Sequence, residues 1–378
     1  MRKKLENFIA ADFLSNYWQK KPMVIRQAIP DFSSLISADE LAGLAFEAEV
    51  ESRLIIENGK TPWELRHGPF DESTFTALPE SHWTMLVQSV DYWIPEINGL
   101  LDYFHFLPRW RLEDIMISYA VDGGNVGPHY DHFDVFLIQA EGKRCWQVGP
   151  AYDETAASIS GIPLHILSEF SSDAEYVMKP GDVLYLPPGV GHHGVAKGEC
   201  MTISIGFRAP SHREILMGFT DYISDQLNES LRYSDPDQKV PENMGRIDEE
   251  ALQRVQGILK KYIDDKLLLA QWFGTFMTEP KHAQESVQDI GEWSSILVEC
   301  NSLSLQINEG SRLAFYEDGK KYLFADGDQF EFPGDIPEWA ETLCHEGRLH
   351  FSEWAGISEE NEQGWLLQKL KNGILYFD

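Results

Sequence analysis

Between residues 111 and 210 the apolar positions fall in short runs broken by glycine and proline. The runs at 115–121, 133–139, 144–148, 176–178, 183–186 and 201–207 are of strand length and rich in β-branched and aromatic residues. Glu141-Gly142 and Pro180-Gly181-Asp182 are turn signals between them. Short strands this close together predict an antiparallel barrel or a double-sheet jelly roll. The N-terminal part is mixed. A short amphipathic helix is expected over 39–48 and strands over 52–56 and 83–87. Trp18, Trp63, Trp83, Trp93 and Trp110 are expected to be packing residues.

After residue 210 the period changes. Ser211-His212-Arg213-Glu214 has the S-x-x-E spacing of a capping box and opens a helix. Leu216, Phe219, Tyr222, Ile223, Leu227 and Leu231 follow at helical spacing. The polar stretch 234–243, with Pro236 and Pro241, reads as a linker or exposed loop. A second helix is expected over 249–273, with Leu252, Val255, Leu259, Tyr262 and Ile263 on one face. Two long apolar stripes between β-rich regions suggest a homodimer surface; the alternative is that both helices pack on their own domain. From 277 onward the pattern is α+β, with strands at 303–307, 312–316 and 321–324. Asp318-Gly319 forms a hairpin turn there, and helices follow at 337–344 and 360–370. The chain is therefore mainly β with added α. It divides into an N-terminal α/β extension (1–95), a jelly roll (96–210), a helical dimerisation region (211–276) and a C-terminal α+β domain (277–378).

Composition narrows the picture. A chain of 378 residues, 43% of them hydrophobic, can bury a large core in two or three domains. No run of eighteen apolar residues suggests a membrane span. The basic start Met1-Arg2-Lys3-Lys4 is followed so soon by Asp12 that no signal peptide is expected. Cys145, Cys200, Cys300 and Cys344 are far apart, which suits a reduced, cytoplasmic chain and argues against a thiolate zinc site. The net charge of −30 disfavours general binding to nucleic acid. It would steer a strongly basic partner, or it is simply a well-solvated surface.

The chemistry lies in two separated stretches. Gly127-Pro128-His129-Tyr130-Asp131 places a His and an Asp two apart, the spacing that puts both on one face of a strand. His192, in Pro187-Pro188-Gly189-Val190-Gly191-His192, can close a facial site of two imidazoles and one carboxylate, which suits Fe(II) and leaves positions open. A second triplet, His132-Phe133-Asp134, runs straight into an apolar strand, where Asp134 can satisfy backbone donors instead. The first triplet is preferred because Gly123-Gly124 and Gly127 allow the backbone to bend beside a metal. His193 is expected outside the ligand set; His67 and His105 are expected to be structural. Iron of this kind binds a 2-oxo acid, and a dicarboxylic acid needs a cation for its far end. Arg144 and Lys143 are the candidates, and Arg144 alternates in phase with Trp146 and Val148. The alternative is a solvent-exposed Arg144 at the hairpin mouth. Ser118, Thr202 and Ser204 can hydrogen-bond the co-substrate from neighbouring strands.

At these residues the chain resembles the JmjC-type 2-oxoglutarate oxygenases and, more narrowly, the bacterial ribosomal oxygenases. The resemblance is carried by Met116-Ile117-Ser118-Tyr119, by Gly127 to Phe136, by Leu184-Tyr185-Leu186-Pro187-Pro188-Gly189 and by Ser204 to Pro210. Trp18 to Pro22, Asp39 to Ala45 and His67-Gly68-Pro69-Phe70 look similar too. It implies a double-stranded β-helix of the cupin type and a C-terminal winged-helix-like domain. It also implies Fe(II) held by His129, Asp131 and His192, 2-oxoglutarate gripped by Arg144, a pocket role for Ser118, and molecular oxygen as co-substrate. The implied reaction is β-carbon hydroxylation of an arginine in a basic large-subunit ribosomal protein. The distal motif departs from the family pattern in lacking Pro before His192 and in having His193 after it. Two competing readings are a metal cupin of another reaction class and a non-enzymatic interaction protein. JmjC relatives also leave N-demethylation open.

Overall fold

The run that begins at Asp134 becomes a strand buried on both faces, because a protein layer covers each side of it. Phe136 and Ile138 face one core, while Val135 and Leu137 face another. This computed structural model describes residues 3–59, 61–281 and 290–378; Met1 and Arg2 of the basic start lie outside them. The chain separates into two units, Met1–Ala209 and Pro210–Asp378.

The first unit contains strands β1 (Met23–Ile25), β2 (Ser52–Glu57), β3 (Trp63–His67), β4 (Trp83–Val87), β5 (Leu112–Ala120), β6 (Asp134–Glu141), β7 (Arg144–Ala151), β8 (Ala174–Met178), β9 (Val183–Leu186), β10 (Val190–Ala196) and β11 (Cys200–Phe207). Among the described residues they form an eight-stranded sheet, β1-β9-β6-β11-β5-β4-β2-β3, and a three-stranded sheet, β10-β7-β8. Every pairing is antiparallel. Between the two sheets Val135, Leu137, Leu184 and Leu186 meet Trp146, Val148, Met178 and Val190. This is the double-sheet jelly roll that the closely spaced short strands predict, and the double-stranded β-helix that the resemblance implies. The outer face of the large sheet packs Ile203, Ile205 and Phe207 against Phe13, Leu41, Ile97 and Phe104 of the N-terminal layer. The expected helix at 39–48 is Ala38–Leu44, opened by a Ser37–Glu40 capping box. Trp83 is buried, but Trp93 is 45% exposed and does not pack as expected.

Strand β10 carries His192 and His193, although no run of strand-forming residues marks it in the sequence. Pro187 and Gly189 do turn the chain, with Gly189 at φ +80°. The strand then runs through two glycines that weaken any strand signal. Each glycine makes room for a ring. A side chain at Gly191 would run into Tyr152, and a Cβ at Gly194 would lie 2.6 Å from the Trp146 ring.

In the second unit Ser211 Oγ accepts the Glu214 N–H at 3.1 Å and Glu214 Oε2 accepts the Ser211 N–H at 2.7 Å. The helix they open, His212–Ser224, stops short of Leu227 and Leu231. The long helix expected over 249–273 is two helices, Glu249–Ile263 and Lys266–Thr278. Asp265 divides them: its carboxylate accepts the N–H groups of Leu267 at 3.1 Å and Leu268 at 3.0 Å and so caps a new helix. Leu216 on the helix His212–Ser224 is 63% exposed, and Leu252, Leu259 and Ile263 on the helix Glu249–Ile263 are 55%, 57% and 49% exposed, apolar positions left open in the single chain. The C-terminal part packs Trp339, Leu343, Trp354, Trp365 and Leu366 over two small antiparallel sheets. The hairpin at Asp318-Gly319 joins strands Leu313–Tyr316 and Lys321–Ala325 as expected, and a further strand, Asp328–Phe332, extends it. No described helix is long and apolar enough to cross a membrane.

Candidate metal centre

His129, Asp131 and His192 converge, each offering one ligand atom, with these atoms all within 4.8 Å of one another. The convergence is built by backbone. His129 and His192 form an isolated antiparallel bridge, with His129 N–H to His192 O at 3.0 Å and His192 N–H to His129 O at 2.8 Å. The Gly189 N–H donates to Asp131 O at 2.7 Å and ties the third member to the turn before β10. Asp131 itself lies in irregular chain ahead of β6, not on the strand that an alternation argument assumes. The glycines before it hold specific conformations: Gly123 has φ +72° and Gly127 has φ +78°, which only glycine adopts readily.

The donor set suits a divalent ion. His129 Nδ1 lies 2.9 Å from Gly127 O, and His192 Nδ1 lies 2.9 Å from Val190 O. A carbonyl oxygen only accepts, so both Nδ1 atoms carry the proton and both Nε2 lone pairs are left for a metal. His192 Nε2 is 3.6 Å from an Asp131 carboxylate oxygen. Burial, reinforced by neighbouring His129 and opposed by Asp131, pushes the His192 imidazole down to about 4. It is therefore neutral at pH 7, the form that ligates. Two imidazoles and a carboxylate on one side form the facial arrangement used by non-haem Fe(II).

A second polar group faces the same barrel interior. Val148 pairs with His192 across the β7–β10 ladder, and Arg144, four residues before Val148, shares its face. Arg144 is 5% exposed, whereas Lys143 is exposed in the turn. One guanidinium nitrogen, Nη1, donates to Ser118 Oγ at 3.2 Å, and Ser118 Oγ donates to Thr202 O at 3.4 Å. Arg144 Nε and Nη2 are buried with no hydrogen-bond partner among the described residues. A buried cation with orphaned donors is strongly unfavourable unless an anion meets it, so the cavity fits a carboxylate of a bound acid. Thr202 and Ser204 sit on the interior face of β11, and Thr202 Oγ1 is 3.3 Å from Gln139 Oε1.

The other titratable candidates lie apart from this site. Asp134 is fully buried and accepts side-chain donors, Tyr185 Oη at 2.6 Å, Gln19 Nε2 at 2.9 Å and Arg111 Nη2 at 3.4 Å, besides the backbone hydrogen bond expected of it. His132, His67 and His105 are exposed. His193 points away from the ligand set, and its Nε2 lies 3.2 Å from Asn125 Oδ1. Gln139 and Asn125, both almost fully buried, are the polar residues that sequence reasoning missed. A buried amide between turn glycines carries no distinctive sequence signal.

A JmjC-domain family model matches residues 99–215, and a ROXA-like winged-helix model matches residues 261–376. The ribosomal protein uL16 3-hydroxylase of Escherichia coli is 39% identical over 272 residues, covering 72% of each chain. The structure of Escherichia coli YcfD matches with a TM-score of 0.89 at 32% identity, over 100% of both chains. A structure of YcfD, a ribosomal oxygenase from Escherichia coli, in complex with cobalt and 2-oxoglutarate matches with a TM-score of 0.86 at 31% identity, over 99% of both chains. With this similarity running through both its jelly roll and its winged helix, the chain belongs to the JmjC family of bacterial ribosomal oxygenases.

Proposed function

We propose that the protein is an Fe(II)- and 2-oxoglutarate-dependent dioxygenase that hydroxylates the β-carbon of an arginine in the large-subunit ribosomal protein uL16. The observation that carries this reading is the pairing of a His–Asp–His cluster with the buried, half-satisfied guanidinium of Arg144 in one barrel interior. The printed activity and ligands of the Escherichia coli relatives support it.

When bound, ferrous iron with 2-oxoglutarate and molecular oxygen supplies the oxidant for an unactivated C–H bond, and the co-substrate leaves as succinate and carbon dioxide. His129, Asp131 and His192 would hold the ion. Arg144, with Nε and Nη2 free of protein partners and Nη1 held by Ser118, would receive the far carboxylate of 2-oxoglutarate. Thr202 and Ser204 border the pocket from β11. The apolar wall of Val148, Leu186 and Trp146 keeps water from the reacting groups.

The net charge of −30 steers a basic ribosomal protein and disfavours direct binding to nucleic acid. The exposed Leu252, Leu259 and Ile263 support residues 211–276 as a homodimer surface. In this reading residues 1–95 are the extension, 96–210 the catalytic jelly roll and 277–378 the winged-helix-like domain. The four cysteines are free thiols, which suits a cytoplasmic enzyme working where ribosomes assemble.

The test is incubation of the iron-loaded enzyme with purified uL16, 2-oxoglutarate and oxygen. The expected product is about sixteen daltons heavier, one oxygen atom, with one succinate released per hydroxylation. Succinate release without modification of uL16 would point to another basic substrate or to demethylation. No turnover by iron-loaded protein would favour the cupin of another class or the interaction protein.

A further inference from the structure

The polar group that the reaction does not explain is Asn125, buried at 4% exposure between the two stretches that carry the histidines. All its polar capacity is directed. Its Nδ2 donates to Glu57 Oε2 at 2.8 Å and to Gly123 O at 3.0 Å. Its Oδ1 accepts the Gly127 N–H at 2.9 Å and faces His193 Nε2 at 3.2 Å. The amide has one workable orientation, because a flip would aim its NH2 group at the Gly127 N–H and its oxygen at the Glu57 carboxylate.

The two groups on Oδ1 each stand beside a metal-ligand candidate. Gly127 has its N–H fixed by Asn125, and its carbonyl oxygen accepts the His129 Nδ1–H at 2.9 Å. At φ +78° this single residue relays the position of the amide to the imidazole. His193 directly follows His192 on β10. One carboxamide oxygen therefore spans both ligand-bearing segments, and Glu57, on β2 of the large sheet, holds it there.

We infer that Asn125 is a positioning residue of the metal centre, oriented by Glu57, and that this Glu57–Asn125 pair sets the affinity for the divalent ion. The inference rests on the assignment of His129, Asp131 and His192 as ligands. Groups that orient metal-bound histidines typically change metal affinity when lost, even though they never touch the ion.

The test uses the full chain, stripped of metal, with Co(II) alone as the probe. Affinity is read by calorimetry, ligand geometry by the visible spectrum of the cobalt complex, and folding by the melting temperature of the metal-free protein. Asn125→Ala is expected to weaken Co(II) binding by about 10- to 100-fold and to alter the cobalt spectrum. Asn125→Asp is expected to do the same, because it sets a carboxylate against Glu57. Glu57→Gln keeps an oxygen that accepts from Nδ2 and is expected to bind Co(II) close to wild type, whereas Glu57→Ala is expected to lose affinity. Wild-type affinity and spectrum in Asn125→Ala, even with a lowered melting temperature, would overturn the inference and leave a purely structural amide. If Asn125→Ala does not fold, the Glu57 pair decides: equal affinity in Glu57→Gln and Glu57→Ala overturns it. Failure of the wild-type chain itself to bind Co(II) would instead bring down the ligand assignment beneath it.

Discussion

His129 and His192, sixty-three positions apart in the sequence, exchange both of their backbone hydrogen bonds, and their rings lie 4.3 Å apart between centroids. The pair forms a ladder rung at the point where two segments cross. The ring geometry is thus set by main chain, and removing an imidazole leaves the rung in place.

Alanine at His129 or His192, or asparagine at Asp131, is accordingly expected to spare the fold and abolish metal binding. Co(II) affinity should fall by more than the ~10–100-fold seen when outer partners are lost. Circular dichroism and the melting temperature of the metal-free protein should stay near wild type. Collapse of the fold in all three variants would contradict this.

Arg144 leads to a pair of opposite effects. Arg144→Met removes a buried cation with two orphaned donors, so the ligand-free protein is expected to melt at a higher temperature. The same change removes two charge-assisted hydrogen bonds to 2-oxoglutarate, each worth ~1.5–3 kcal/mol, so the KM for the co-substrate should rise about 100-fold or more. Melting curves with and without 2-oxoglutarate, beside initial rates of succinate release, read both effects.

The buried imidazole of His192 makes the metal-free protein acid-sensitive. Its folded pKa, about 4, lies below the ordinary value of 6.5, so the unfolded chain takes up the proton first. Its stabilising contribution is complete above pH 6.5 and is lost as the pH falls toward 4. The slope from this group approaches about 1.4 kcal/mol per pH unit inside that window. Urea midpoints measured without metal from pH 7.5 to 4.5 should fall more steeply for wild type than for His192→Gln as the pH drops.

Gly194 is expected to resist any side chain. A Cβ there meets the Trp146 ring, which in turn lies 5.8 Å from the His192 ring between centroids. Gly194→Val should destabilise the protein by about 1–3 kcal/mol through overpacking and should also weaken Co(II) binding as the indole moves. Unchanged denaturation and unchanged affinity would show that the ring has room to retreat.

Glutamate at both Leu252 and Leu259 is expected to convert a homodimer to a monomer without unfolding either unit, because both side chains are already exposed in the single chain. Sedimentation velocity distinguishes the two states. A wild-type chain that sediments as a monomer at micromolar concentration would remove the dimer proposal.

Much of the jelly roll and the ligand-bearing stretches was legible because the signals are local. Strands β5, β6, β7, β9 and β11 each announce themselves as short runs of strand-forming residues between turns, and the His–x–Asp spacing needs no partner to be noticed. Strand β10 was hidden because Gly191 and Gly194 serve neighbouring rings and not their own strand. The helix break at Asp265 could have been read, since an acidic cap inside a helical run is a start signal. Arg144 was placed inward by phase alone, but its unmatched nitrogens appear only once β5 and β11 stand opposite it. The Glu57–Asn125–His193 contact could not be read at all, because its members lie on three distant segments without periodicity.

The rung between His129 and His192 also dates the moment at which an ion can be captured. Strand β10 must have come to rest beside the irregular stretch that precedes β6, with Gly189 delivered to Asp131, before any three ligands share a neighbourhood. Loading with metal is therefore expected to follow the docking of β10 on that stretch, and the energy of coordination is expected to act as a clasp that slows its reopening.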